Sequence, residues 1–435
     1  LSKLNILVLH RLGSPKLAPD FLTKHVFSLR TNQPEHLYIY HDTQLPIPDY
    51  VRDVEFDAII LDVTLLCVRW QKKEIFEQIQ ADYSFVKNSN SVKIAFPQDE
   101  YDCSAILDAW MVDWGVDIVF SVISQHWDVL YPSYSKVGEI YLGYTGYIEE
   151  SLLKIPCKPF NNRPIDIGYR ARKLPPYFGR VGEQKWKIGE LVSELSKKHL
   201  LNVDIKLGEA YTLHVSTWLD FIGNSKFTLG ANSGSSLLDP YGDIQHSVRE
   251  YLRIYPNAKF EEVEKSCFKG EDGKYSFTAI SPRVLEAGLL ESCQILVEGS
   301  YSGVISAWEH FIPLKSDASN FDEVVLAMKD TDLVARMIRR CKETLLDFHG
   351  LRAGNQALRV IELIYQYKKK KNLRTNISQV ENAMRKYNSE IAPKLNRIWK
   401  RQERRNTLSI LIHKCRLLIL LKNTVRRILY SINGK

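Results

Sequence analysis

Four short stretches carry the side chains best suited to chemistry. In one, a polar loop delivers Ser281, Pro282 and Arg283, and a helix then begins with Glu286 in its first turns. Free N–H groups and the dipole at a helix N-terminus stabilise anions, and a carboxylate beside them can accept both hydroxyls of a ribose. The strand Gln294–Val297 then leads into Glu298-Gly299-Ser300-Tyr301-Ser302-Gly303, a glycine-bearing loop at a carboxyl end. A second stretch supplies cations. Arg170 and Arg172 sit just after a predicted strand, and Arg180 precedes Lys185 by five on a loop entering a helix. Planar guanidinium forks suit phosphate; the plain alternative is surface arginines solvating a helix start. The third is the loop Gly230–Ser236, where Asn232, Ser233 and Ser235 offer polar groups around Gly234 and the small residues let backbone approach a ligand. A simple glycine turn is the competing reading. In the fourth, Asp99 and Glu100 are the best carboxylates to deprotonate a hydroxyl, with structural ion pairing as the alternative.

The elements that must position these groups alternate along the chain. Leu4–Leu9, Leu37–Tyr40, Ala58–Leu61, Lys93–Phe96 and Ile118–Val122 read as short buried strands, with helical stretches such as Trp70–Phe85 and Cys103–Gly115 between them. A second unit repeats the pattern: strand Ile165–Tyr169, helix Glu183–Lys198, strand Val203–Lys206, helix Thr217–Asn224, strand Phe227–Leu229, helix Pro282–Leu290, strand Cys293–Val297 and helix Phe321–Lys329. Such alternation predicts α/β, doubly wound parallel sheets, in which ligands bind beyond the carboxyl ends of strands. His10 ends the first strand and is a further candidate there; His126, His214 and His310 have weaker positional arguments. The prolines at 156, 159 and 164 mark a linker. The expected organisation is residues 1–155, residues 164–335 and a helical, basic extension over 336–435.

Composition narrows the class. With 435 residues, 45% of them hydrophobic, the chain exceeds one ordinary core and suits two domains with an appendage. Seven scattered cysteines without a CxxC pair argue against a disulfide framework or zinc site and fit a reducing, cytoplasmic setting. Nothing at the N-terminus reads as a signal peptide. The net charge of +8 hides an asymmetry: from Lys368 onward 19 Lys and Arg face three acids, so the rest of the chain is about −8. A nucleic-acid enzyme would carry its positive stripe on the folded body, so no nucleic acid is expected as partner. The segment Leu408–Leu429 mixes apolar and basic residues, and its longest uncharged apolar run, Leu417–Leu421, is far short of the roughly 20 residues that span a bilayer. It reads either as an amphipathic helix on the anionic inner face of a membrane or as a helix packing its stripe on the body.

Several segments resemble the group-1-like GT-B glycosyltransferases of bacterial surface-polysaccharide (O-antigen and capsule) synthesis. They are Phe96–Asp102, Ile167–Lys185, Gly230–Ile244, Ser281–Gly288, Ile295–Gly303, Ile312–Leu314 and Asn320–Val324. Together they cover residues from about 5 to about 330 and leave the basic tail outside. The resemblance implies two Rossmann-like domains facing a cleft, a nucleotide-sugar donor in the second and a glycan or lipid-linked acceptor in the first. It places Glu286 on the donor ribose and an Arg–Lys pair, drawn from Arg170, Arg172, Arg180 and Lys185, with Arg283 as a further cation, on the diphosphate. Tyr301, Ser302 and Gly303 line the donor side. No metal cofactor is implied, since cations and helix dipoles take the leaving charge in such enzymes. The family's second glutamate, seven residues before Glu286, is Ala279 here. The departure leaves open a CMP-linked acid as donor, or a catalytically degenerate scaffold recruited to membrane or nucleic acid.

Overall fold

The computed structural model describes residues 2–213, 215–374 and 376–409. Two parallel sheets organise them. The first contains β1 (Asn5–His10), β2 (Leu37–Asp42), β3 (Ala58–Leu61), β4 (Val92–Ala95), β5 (Ile118–Ser121) and β6 (Glu139–Leu142), in the order β2-β1-β3-β4-β5-β6. Every residue of β1, β3, β4 and β5 is buried. Layers on both faces exclude water from them, which is why they read as unbroken apolar runs. The sequence showed five of the six. The sixth, β6, is an edge strand with no buried residue, so it has no apolar signature.

The second unit contains β7 (Ile165–Ala171), β8 (Val203–Leu207), β9 (Ser225–Gly230), β10 (Ser233–Ser235), β11 (Phe277–Ala279), β12 (Cys293–Val297) and β13 (Ile312–Leu314). Five of these form a parallel sheet in the order β13-β12-β9-β7-β8, while β10 and β11 make a separate antiparallel pair. That pair lies inside and beyond the predicted Gly230–Ser236 loop. Gly234 makes it possible: its φ is +131°, and an added Cβ would fall 1.8 Å from the Phe277 carbonyl oxygen.

In both sheets the chain winds outward to one side and then reverses. The reversal falls between β1 and β3 in the first sheet and between β7 and β9 in the second. The diverging connections open a crevice at each switch point. Loops from the two carboxyl ends meet around it. The Thr145 hydroxyl donates to the Ile280 carbonyl at 2.9 Å, and the Asp239 amide donates to the Tyr101 carbonyl at 2.9 Å. Tyr101 stacks on Phe277 at 6.1 Å between centroids. Gly146 lies so close to Pro282 that a Cβ would sit 2.8 Å from its ring.

The helical tail returns to the first sheet. Thr331–Asp347 packs against the second unit through Cys341 and Leu345, after which Ala353–Lys370 buries Ala357, Val360, Ile361 and Ile364 with β1, β3 and β4. Helix Ile377–Glu390 docks on β2, where the His41 Nδ1 and the Tyr387 hydroxyl are 2.9 Å apart. Burial lowers the His41 pKa to about 3, so this joint is a neutral one. Residues 392–409 are helical and cross the loops after β1 and β2, where the Gln402 amide accepts from the Ser14 N–H and donates to the Gln44 side chain. The described part of the tail therefore packs its apolar stripe on the body. Most of Leu408–Leu429 lies outside the described residues. No described helix is long and apolar enough to cross a membrane.

Candidate functional site

Helix Pro282–Leu289 is capped by Ser281, whose hydroxyl accepts from the Arg283 N–H at 3.3 Å. Pro282 at its first position suits the fixed φ of a helix start. The helix projects Arg283 and Glu286 along one face, one turn apart. Glu286 Oε2 accepts from the Trp218 indole N–H at 2.6 Å, and the Arg283 guanidinium lies 5.0 Å over the same indole. Trp218 thus fixes both charged groups at once. Burial raises the Glu286 pKa, opposed by the Trp218 bond and then by the charges of Arg283 and Lys24. Lys24 belongs to helix Asp20–Asn32 of the first unit, so Glu286 faces across the crevice. Its Oε1 makes no hydrogen bond to a described residue.

Lys185 comes from helix Gly179–Lys198, which starts four residues before the predicted Glu183. Its ammonium donates to the Ser233 hydroxyl at 3.2 Å, joining the helix to β10. Burial pulls its pKa down to about 8, while the carboxylate of Asp99 raises it and Arg283 lowers it. Arg283 donates to the Arg170 carbonyl at 2.7 Å; burial lowers its pKa, and the nearby charge of Arg172 lowers it further. Arg172 is exposed just beyond β7 and its guanidinium makes no ion pair with a described residue. Lys185, Arg283, Arg172, Ser233 and Glu286 therefore gather at the second switch point. Asn232 joins them: its amide lies against Gly299, where a Cβ would meet the Asn232 nitrogen at 2.0 Å. Three like charges brought close together, with Lys185 partly buried and Arg172 and Arg283 open to solvent, favour binding an anion.

Other predicted residues are placed elsewhere. Arg170 is buried, with its guanidinium bound to the Tyr169 and Asp204 carbonyls and to the Asp204 carboxylate at 2.7 Å, stacked over Phe221. It clamps β7 to β8 and offers nothing to a ligand. Arg180 points into an acidic group, pairing with Glu264 at 2.8 Å and Asp272 at 3.6 Å. Tyr301 is fully buried and donates to the Val297 carbonyl, and the Ser302 hydroxyl accepts from the Ile280 N–H at 3.0 Å. Both side chains point into the domain. The 3-10 turn through Gly303, at φ +72°, brings this about. Ser235 is also sealed, its hydroxyl closing a turn with Leu237.

On the first unit the two acids separate. Glu100 is fully buried, accepting from the Val122 N–H at 2.8 Å and from the Tyr131 hydroxyl. Burial pushes it up to about 7 in spite of those bonds. It braces the loop and faces no cleft, which corrects the expectation of a catalytic carboxylate. Asp99 stands partly open at φ +46°, accepting from the Tyr101 hydroxyl at 2.7 Å and facing Lys185. Behind it, burial and the charge of Asp99 push Asp102 up to about 8. His10 is buried, accepting from the Leu12 N–H at 3.3 Å. His310 is buried between Ser306 and Thr344, and the His126 ring packs on Tyr275 and Phe277. His214 lies outside the described residues.

Sequence reading passed over three residues here: Trp218, His25 and Asp62. Trp218 sits in a predicted helix with no visible partner, since Glu286 is 68 positions away. His25 and Asp62 meet at the first switch point, Nδ1 to Oδ2 at 2.9 Å, across 37 positions. An Asp immediately after a buried strand was the only available signal.

No protein-family model matches the sequence, and no curated protein does. Among solved structures the chain is similar to an α-glucosyltransferase in complex with UDP-glucose and DNA containing an abasic site. The TM-score is 0.50 at 11% identity, over 84% of this chain and 100% of that one. The Anabaena protein HepE in complex with UDP and glucose aligns with a TM-score of 0.47 at 10% identity, over 83% and 99% of the two chains. A glycosyltransferase from Rickettsia africae gives 0.43 at 10%, over 85% and 100%. At such identities the likeness concerns architecture alone, and the architecture is that of the GT-B glycosyltransferases: two Rossmann-like domains about a crevice, with a helical C-terminal part.

Proposed function

We propose that the chain is a glycosyltransferase that takes a sugar from a nucleotide-sugar donor held at the second switch point. One observation carries this reading: the Trp218-anchored Glu286 beside Arg283, Arg172 and Lys185 at the carboxyl end of the second sheet. A free carboxylate oxygen suits a pair of ribose hydroxyls, and the cations suit a diphosphate. The α-glucosyltransferase of similar fold was solved with UDP-glucose, which supports the donor class. These cations are placed to take the charge of the departing diphosphate, so the transfer needs no divalent ion.

The acceptor side is the first domain. A glycan or lipid-linked acceptor in surface-polysaccharide synthesis is the reading for that side, where the tail helix on the loops after β1 and β2 carries the exposed basic residues Lys400, Arg401, Arg404 and Arg405. These would hold the enzyme on the anionic inner face of a membrane, worth about 1 kcal/mol per basic residue near the surface. Liposome sedimentation tests that part: binding to anionic vesicles that falls steeply with salt is expected, and equal binding to neutral vesicles contradicts it.

A thermal-shift panel of UDP-, GDP- and CMP-sugars tests the donor assignment. One class should raise the melting temperature of the wild type and not that of Glu286→Ala. A CMP-sugar response would select the acid-sugar alternative, and no response from any donor would contradict the reading.

A further inference from the structure

We propose that Trp218 is a positioning residue of the donor site: its indole aims Glu286 and Arg283 at one ligand, and its N–H sets the acid limit of donor binding. This deepens the sugar-transfer reading above and rests on it.

The indole is itself held in place. Helix Val215–Gly223 leads into β9, and on it Trp218 packs against Ile222 and against Ala287 and Leu290 from the helix that bears Glu286. Its ring also meets Phe221 at 5.7 Å between centroids. Phe221 lies under the guanidinium of Arg170 at 4.1 Å, the side chain that clamps β7 to β8. Thus fixed, the indole offers an N–H at one edge and an electron-rich face beside it. The N–H donates to Glu286 Oε2 at 2.6 Å. The face takes the Arg283 guanidinium at 5.0 Å, while Nη1 of that group donates to the Arg170 carbonyl at 2.7 Å. Opposite charges three positions apart on a helix are close enough to pair, which would turn both away from a ligand. The indole instead takes one on its edge and the other on its face.

The same contact governs ionisation. Burial raises the Glu286 pKa; the Trp218 bond is the strongest influence against it, followed by Arg283 and Lys24, while Asp20 adds to the rise. Lys24 and Asp20 come from helix Asp20–Asn32 of the first unit. The other helices packed on this one, Thr331–Asp347 and Glu150–Leu153, meet it with Cys341 and Leu345 and with Leu152 and Leu153. Beside them Glu149 and Glu150 interact with Lys24 and Arg352. A hydrogen bond to a charged group favours the charged form, so the indole N–H does most to keep Glu286 a carboxylate. Only the carboxylate offers both oxygens as acceptors. As the medium turns acid, Glu286 takes up a proton and ribose loses acceptor capacity. Without the indole N–H that loss begins at higher pH. The phosphates of a nucleotide-sugar are diesters and keep their charge throughout, and Lys185, pulled down to about 8, acts only at the alkaline end.

The test measures binding of UDP-glucose, GDP-mannose and a CMP-linked acid sugar to the full-length protein between about pH 5 and about pH 7.5, below the range in which Lys185 loses its proton. Melting curves check that each variant folds. Trp218→Phe keeps a ring and loses the N–H. The pH at which its donor affinity has halved should stand about one pH unit above that of the wild type, the equivalent of one hydrogen bond to a charged group. Trp218→Gln keeps an N–H donor and loses the ring. Its midpoint should return toward that of the wild type, while affinity falls about threefold or more at every pH as Arg283 is released. Glu286→Gln should abolish the acid limb, and adding Trp218→Phe to it should not restore one. Coincident midpoints in wild type and Trp218→Phe, or a Trp218→Gln midpoint as high as that of Trp218→Phe, reduce the indole to packing and overturn the proposal with the donor reading intact. A wild type that binds none of the donors, or a Glu286→Gln protein that binds one as tightly as wild type, overturns the donor reading itself.

Discussion

At the carboxyl end of the second sheet Lys185, Arg172 and the carboxylate of Glu286 gather about Arg283. At the same end of the first sheet stand the acids Asp62, paired with His25, and Asp99, with the protonated Asp102 buried behind Asp99. The two ends are built alike, from a reversal of strand order beside a central buried strand, and they carry opposite charge. What distinguishes them is which side chains the local hydrogen bonds leave uncommitted. Arg170 and Arg172 make the point within three residues. Arg170 lies inside β7 and is drawn to Asp204 on the neighbouring strand, whereas Arg172 lies past the strand end and stays open. A cationic lip opposite an acidic one fits a reaction that expels a phosphate toward the cations.

The largest effect should come from the cationic lip. Lys185→Ala removes the ammonium that joins β10 and faces Asp99, and donor turnover should fall roughly 100- to 1,000-fold, the usual loss for one preorganised charge-stabilising donor. A fall below tenfold would break the contrast between the lips. Gly234→Ala attacks the pairing that carries Ser233 to Lys185. With φ at +131° and a Cβ 1.8 Å from the Phe277 carbonyl oxygen, about 3 kcal/mol of stability should be lost in denaturant unfolding. A neutral result would mean that β10 and β11 do not pair as described.

The buried acids behind the first lip should be visible in the pH dependence of stability. Folded Asp102 holds its proton up to about 8, against an ordinary value of 3.8. Unfolding therefore releases a proton between those values, and stability falls as pH rises through that window, by at most about 1.4 kcal/mol per unit for one group. Glu100, held up to about 7, contributes in the same sense at lower pH. Asp102→Asn should flatten the stretch from pH 7 to 8, and an unchanged slope would contradict the assignment. The smallest effect is expected of Arg180→Ala. Its partners lie away from the crevice; Glu261 and Glu264 are exposed or half-buried, and the buried carboxylate of Asp272 keeps the Ser236 hydroxyl, so turnover should stay within about threefold and stability within about 1 kcal/mol. A large loss of turnover would return Arg180 to the donor site.

Most of the architecture was legible because a doubly covered parallel sheet writes itself as short apolar runs separated by helices. The edge strand β6 was not, because its exposed residues carry no such pattern. At the site, Glu286, Arg283 and Lys185 were legible from their position at helix starts. Tyr301, Ser302 and Ser235 misled, since a hydroxyl in a glycine-bearing loop looks the same whether it faces a ligand or closes its own turn. The His25–Asp62 and Trp218–Glu286 pairs were invisible for a different reason: each joins residues 37 or more positions apart, and only the folded chain brings them together.

The most direct test of a donor site at the second switch point is equilibrium binding of UDP-, GDP- and CMP-sugars to wild type and Glu286→Ala. One donor class should bind the wild type and weaken about 10- to 100-fold in the variant, the scale of lost hydrogen bonds to a charged group. Equal affinity in the two proteins, or no binding to either, would contradict it.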